Sequence, residues 1–176
     1  MTTYIAFLRA VNVGGRKVPM AQLREHLDQA GFTDVVTYIQ SGNVRVDSPL
    51  RSPAKVEAKL EAELSKAFGI DIPTIVRRPK ELVELVKAAP PNPLGDDARH
   101  YVSFLRDKPS ATQAKEMDGW DVDGERMVVV GRDVHLWFAK PSHEAKLNNS
   151  RIEKLAGTQS TNRNWNVVST LAEKWC

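Results

Sequence analysis

Between Tyr4 and Arg78 the chain passes through six hydrophobic segments, and their order constrains the fold more than any single motif does. Tyr4 to Leu8 is a short apolar run that reads as a strand. Met20, Leu23, Leu27 and Ala30 recur at helical spacing behind Pro19, a residue suited to a first helical turn, and Gly31 supplies a stop. Val35 to Ile39 and Val44 to Val46 are β-branched runs around Gln40-Ser41-Gly42-Asn43, where Gly and Asn tolerate the positive φ of a tight hairpin turn. Ser52 and Pro53 form an N-cap and first-turn pair, and Val56, Leu60, Leu64 and Ala67 make one apolar stripe closed by Gly69. Ile72 to Val76 then reads as a strand. Strand, helix, strand, strand, helix, strand is the split βαβ, or ferredoxin-like, plan.

The second half repeats part of this order. Lys80 to Ala89 is a helix broken by Pro90-Pro91-Asn92-Pro93, and Tyr101 to Leu105 is a strand. A helix over Ser110 to Met117 follows, and Met127 to Val130 with Val134 to Phe138 form a hairpin about Gly131-Arg132. Asn149-Ser150 caps a short helix through Leu155 to Gly157, and Val168, Leu171 and Trp175 give a last helix its apolar face. The expectation is an α+β chain of two ferredoxin-like (α/β-plait) subdomains, antiparallel sheets with helices packed on one face. Residues 1–78 hold a Gly-rich basic loop, and residues 79–176 form a second α/β subdomain with a C-terminal helix.

Composition removes several classes of function. Purely apolar runs, such as Tyr4 to Leu8 or Met127 to Val130, fall far short of the roughly 20 residues that a membrane-spanning helix needs. The start of the chain has no basic leader, and the single cysteine, Cys176, allows no intrachain disulfide, so a cytoplasmic protein is expected. The histidines His26, His100, His135 and His143 lie apart without metal-ligand spacing, so no metal and no cofactor is implied. The net charge of +3 is local: residues 1–78 carry 11 basic and 8 acidic side chains, whereas residues 79–176 carry 14 of each.

Tyr4-Ile5-Ala6-Phe7-Leu8-Arg9-Ala10-Val11-Asn12-Val13-Gly14-Gly15, then Val18-Pro19-Met20 and Leu23, then Tyr38-Ile39-Gln40-Ser41-Gly42-Asn43-Val44, resemble the bacterial family called domain of unknown function 1697. Lys146-Leu147 and Thr161-Asn162-Arg163-Asn164-Trp165-Asn166 are similar to its closing motifs, although Ser142-His143-Glu144-Ala145 stands where the family usually has a Gly-rich turn and a Ser. The resemblance implies two ferredoxin-like halves and no established activity.

Three constellations carry candidate chemistry. Arg9, Asn12, Gly14, Gly15, Arg16 and Lys17 lie between a strand and a helix N-terminus, where exposed glycine backbone, the helix dipole and cations make an anion cradle. The Walker spacing and GxGxxG are both absent, and the plainer alternative is a chain reversal with solvated cations. Gln40, Ser41 and Asn43 either build a hairpin turn or present polar groups to a ligand; the sequence leaves open whether they share an end of the sheet with the Gly loop. Arg163 could grip a carboxylate or phosphate while Trp165 stacks on a ring, or Asn164 could cap the last helix and Trp165 seal the core. Lys146 joins the candidates as a further cation.

The reading these support is an anionic small molecule, phosphorylated or nucleotide-like, bound in a basic cleft between the two halves. Nucleic acid is the weaker partner, because no stretch fits the basic-Gly-aromatic pattern of RNA-binding sheets. The alternatives are a small metal-independent phosphoryl or acyl-phosphate hydrolase, by fold analogy with acylphosphatases, and an interaction module without a ligand. No catalytic residue is assigned, and the oligomeric state is not legible.

Overall fold

A computed structural model describes Met1–Cys176. Strand β1 (Thr2–Leu8) is followed by α1 (Met20–Gln29), β2 (Thr33–Tyr38), β3 (Asn43–Ser48), α2 (Pro53–Phe68) and β4 (Thr74–Arg77). The strands form one sheet in the order β2-β3-β1-β4 with every neighbour antiparallel. After α3 (Pro79–Lys87) come β5 (Arg99–Leu105), α4 (Ala111–Asp118), β6 (Glu125–Val130), β7 (Asp133–Phe138), a 3-10 turn at Ser142–Glu144, α5 (Asn149–Ala156), β8 (Ser160–Asn164) and α6 (Trp165–Trp175). The second sheet has the order β6-β7-β5-β8, again antiparallel throughout. Each half is therefore ferredoxin-like. Internal contacts divide the chain into one unit of Met1–Leu82 with Lys174–Cys176 and another of Val83–Glu173.

In the first unit the local signals act as read. The Ser52 hydroxyl accepts the N–H of Lys55 at 3.4 Å, Pro53 opens α2, and Gly69 ends it in the left-handed region at φ 66°. Between them Val56, Leu60 and Leu64 are fully buried against Tyr4, Ala6 and Leu8 of β1, each such side chain contributing about 1.5–3 kcal/mol. Pro19 lies one residue earlier than expected, as the N-cap of α1. The β2–β3 turn also differs. Gly42 takes a positive φ of 80°, but Asn43 is already the first residue of β3, and the second left-handed residue is Ile39 at 51°.

The second unit holds one strand that periodicity does not announce. β8 reads Ser-Thr-Asn-Arg-Asn and pairs with β5 from Ser160↔Leu105 to Asn164↔Tyr101. It supplies the fourth strand of the second plait, in a stretch expected to lead straight into the last helix. α4 begins at Ser110 with a reciprocal capping box to Gln113, and Asn148, one residue earlier than expected, caps α5 by accepting the Arg151 N–H at 2.9 Å. The two sheets correspond position by position: Leu8 N–H donates to Gly42 O and Arg9 N–H to Pro73 O, as Leu105 N–H does to Arg132 O and Arg106 N–H to Gln159 O. This shared frame makes the duplication structural although no residue repeat marks it.

Candidate functional site

Because β1 and β3 are antiparallel with Phe7 opposite Asn43, the loop that leaves β1 and the turn that enters β3 lie at the same end of the first sheet. Two of the three constellations thus come together. Leu8 N–H donates to Gly42 O at 2.8 Å, and Arg9 N–H to Pro73 O at 2.9 Å. The pivot is Asn12. Its Oδ1 accepts the Val18 N–H at 2.8 Å, while its Nδ2 donates to the carbonyls of Val18, at 3.1 Å, and Gln40. One amide thereby closes the base of the 12–18 loop and ties it to the 39–42 turn.

Within that loop Val13 and Arg16 are bridged, with the Arg16 N–H donating to Val13 O at 3.1 Å. Gly14 and Gly15 turn the chain at φ 56° and 80°, the double left-handed geometry of a type I′ reversal, and open space surrounds both. Beyond the loop, α1 starts without a side-chain cap and without an acid in its first turn, which leaves its positive end uncompensated. Three non-glycine residues here occupy the left-handed region: Ala10 at φ 54°, Asn12 at 55° and Ile39 at 51°. For a β-branched residue such as Ile39 this is a true outlier, held only because its surroundings over-determine it.

The expected site residues divide by exposure. Asn12, Gly14, Gly15, Lys17, Gln40 and Ser41 are exposed, and Arg9 and Arg16 half-buried. Arg16 reaches across to donate from Nη2 to the Asp71 carbonyl. Asn43 is fully buried, and its amide donates to Tyr38 O at 3.1 Å and Ser41 Oγ at 2.9 Å, so it braces the turn from inside.

The remaining candidates lie in the second unit. Lys146 has an exposed side chain, and its backbone N–H donates to Glu125 Oε2 at 3.1 Å. Arg163 is buried, its Nη1 donating to Thr161 Oγ1 and Asn162 O, both at 2.8 Å, and burial pulls its pKa down to about 10. Asn164 Oδ1 accepts the Asn166 N–H at 2.8 Å at the start of α6, which is the capping role.

Trp165 stacks on His100 with centroids 4.4 Å apart, and His100 stacks in turn on Trp137 at 4.8 Å. In sequence His100 and His135 lie 35 residues apart, without metal-ligand spacing. Strand pairing sets Val102 opposite His135 and His100 opposite Trp137, which brings His100 Nε2 to 2.9 Å from His135 Nδ1. Burial pushes both imidazoles down to about 4, with His100 adding to the effect at His135, so the pair is neutral at neutral pH. The signal that could have found them is the plait itself, which always pairs the first strand of a half with its third.

A family model described as "Protein of unknown function (DUF1697)" matches residues 1–135. Its reach takes in the loop cluster of the first unit and stops short of Lys146 and Arg163. Among solved structures, a conserved bacterial protein from Streptococcus pneumoniae aligns with a TM-score of 0.75 at 23% identity, over 98% of this chain and 97% of that one. That likeness is one of fold. A comparison with curated proteins gives no match. No helix is long and apolar enough to cross a membrane.

Proposed function

The chain belongs to the DUF1697 family, and from the loops at the end of its first sheet we propose that it binds a small anionic ligand, phosphorylated or nucleotide-like. The observation that carries this reading is the bond from the Asn12 amide to the Gln40 carbonyl, which joins two separately encoded loops into one exposed surface. On that surface Lys17 offers a charge on a flexible stem, Gln40 and Ser41 offer hydrogen-bonding side chains, and Gly14-Gly15 let an anion approach backbone that no Cβ shields. Asn12 has a positioning role, since its amide is committed to Val18 and Gln40. Strain concentrated at Ala10, Asn12 and Ile39 supports a surface shaped for more than a chain reversal.

The hydrolase alternative has less support here. The acylphosphatase analogy needs an asparagine to position an attacking water, and Asn43, the one the first unit offers for it, is fully buried with its amide on Tyr38 and Ser41.

The test is an amide-resolved NMR titration of the full chain at low salt with inorganic phosphate, a sugar phosphate and a nucleoside monophosphate. Saturable shifts at residues 12–17 and 39–42, weakened by added salt and by Lys17→Ala or Gln40→Ala, are expected. Shifts that lie elsewhere, or that Lys17→Ala leaves intact, overturn the proposal.

A further inference from the structure

The helix-covered face of the second sheet is not closed. A cavity of about 300 Å³ opens there, at the lower end of the range for small-molecule sites. Its lining includes Arg99 and Tyr101 from β5, Phe138 from β7, Asn162 and Asn164 from β8, and Ser142 from the segment that crosses above them. Pairing of Arg99 with Phe138, Tyr101 with Asn164, and Ser103 with Asn162 puts these strand residues on one face.

The first unit shows why the cavity exists. There the corresponding face is covered by α2, of 16 residues, whereas α5 has only 8 and starts after an irregular stretch. At 1.5 Å per residue the second helix is shorter by about 12 Å, and over that gap the sheet is roofed only by the irregular stretch of Ser142, Ala145 and Leu147, which lines the cavity. Tyr4 is fully buried with its hydroxyl donating to Leu50 O, but Tyr101, at the matching position, is only half-buried.

Polar residues stand where the first unit is apolar. Val76 pairs with Ala6 and belongs to the first core; its counterpart, paired with Ser103, is Asn162. Asn162 Oδ1 is shut off from solvent without a protein partner, and so is the neighbouring Ser103 Oγ; Asn162 itself lines the cavity, so rotation of its amide is what would bring the oxygen to a guest. Natural cores rarely leave such atoms unmet, since each costs its full desolvation. Asn164 uses its Oδ1 on α6, which leaves the amide NH2 as the part able to serve a ligand.

The chemistry of the lining selects the occupant. Tyr101 and Phe138 meet edge to face at 5.8 Å and give the cavity aromatic walls. Arg99 is already committed to Ser142 Oγ and Lys140 O, both at 2.7 Å, so no uncommitted cation calls for a phosphate. A purely hydrocarbon guest would leave the Asn162 amide unmet. We infer that this cavity binds a neutral planar nitrogen heterocycle of the nucleobase or nucleoside class, its ring against Tyr101 and Phe138 and its polar edge on Asn162 and Asn164. The inference is independent of the loops of the first unit.

The test titrates the full chain with adenosine, uridine, toluene and inorganic phosphate and reads the side-chain amides of Asn162 and Asn164. A nucleoside is expected to shift them saturably, and toluene and phosphate are not. Asn162→Val, which installs the residue of the first unit, is expected to keep or raise the urea midpoint while weakening nucleoside binding by about tenfold or more. Phe138→Leu is expected to weaken it as well. The inference is overturned if neither nucleoside moves these resonances at millimolar concentration, if toluene competes equally, or if Asn162→Val leaves binding unchanged. A lower urea midpoint for Asn162→Val also overturns it, because the amide would then be serving the fold.

Discussion

Gly42→Ala separates steric packing from backbone strain at the proposed anion site. Gly42 lies at φ +80°, where an added Cβ would come within 2.6 Å of Val11 Cγ2 and 2.7 Å of Leu8 Cβ. Both contacts are far inside van der Waals distance, and Leu8 and Val11 are themselves buried, so neither can yield easily. The left-handed backbone costs about 1–2 kcal/mol for a residue with a Cβ, and overpacking adds about 1–3 kcal/mol, for a total of about 2–5 kcal/mol. Gly69→Ala is the matched control. Its φ is +66°, but nothing lies within 4 Å of the added carbon, so only the backbone cost of about 1–2 kcal/mol remains. Urea unfolding of both variants measures the difference. The Gly42 variant should also displace the Asn12 and Gln40 amide resonances, because the turn it belongs to is tied to Asn12. Equal loss of stability in the two variants would refute the close-approach argument, and unperturbed Asn12 and Gln40 amides would refute the coupling of the loops.

Two further predictions concern ionisable groups inside the second unit. Glu125 has a fully buried side chain that accepts Lys140 Nζ at 2.8 Å and the N–H groups of Lys146 and Leu147 at 3.1 and 2.6 Å. Burial alone would raise its pKa, but these three donors outweigh it and hold the carboxyl below its ordinary 4.5. Glu125→Gln should cost about 3 kcal/mol at pH 7 by leaving Lys140 poorly paired, and the advantage of wild type over the variant should fade on acidification below 4.5 as the carboxylate protonates. Urea midpoints at both ends of that range decide it. His100 and His135, held near pKa 4, take up protons on unfolding, so their contribution is fully present above about 6.5 and declines as pH falls toward 4. For His135 the loss is about 2 kcal/mol at pH 5, and His135→Phe should reduce the proton uptake on unfolding between pH 6.5 and 4 from about two to about one; an unchanged pH slope counts against the buried pair.

How far the chain could be read depended on whether the signal was local. α2 was legible because its cap, its first-turn proline, its apolar stripe and its terminal glycine all lie within 52–69, and the 131–132 hairpin was equally plain. β8 was not, because Ser-Thr-Asn-Arg-Asn has no apolar alternation; as an edge strand it pairs with β5 only, and its remaining ties are polar, from Ser160 to Asn149 and Glu153 of α5. Ile39 shows the same limit in reverse, since its β-branched side chain argues against the left-handed conformation that its surroundings impose. The candidate site followed suit. Arg9 to Lys17 and Gln40 to Asn43 were each visible as motifs, but their meeting depends on β1 pairing with β3, and the His100–His135 contact and the cavity over β8 depend on β5 pairing with β7 and β8.

The placement of β1 also shapes how the polypeptide is made. Tyr4 to Leu8 are five consecutive residues with at most 1% exposure, at the middle of a sheet whose neighbouring strands both come later in the chain. At ordinary translation speeds β4, which ends at Arg77, follows β1 by on the order of 10 s, and until then one edge of this apolar strand has no strand to pair with even after β3 has been made. β5 repeats the predicament, central in its sheet and completed only by β7 and β8. The aggregation hazard of this architecture is therefore concentrated in nascent chains, while in the finished protein both strands are sealed at the centre of their sheets.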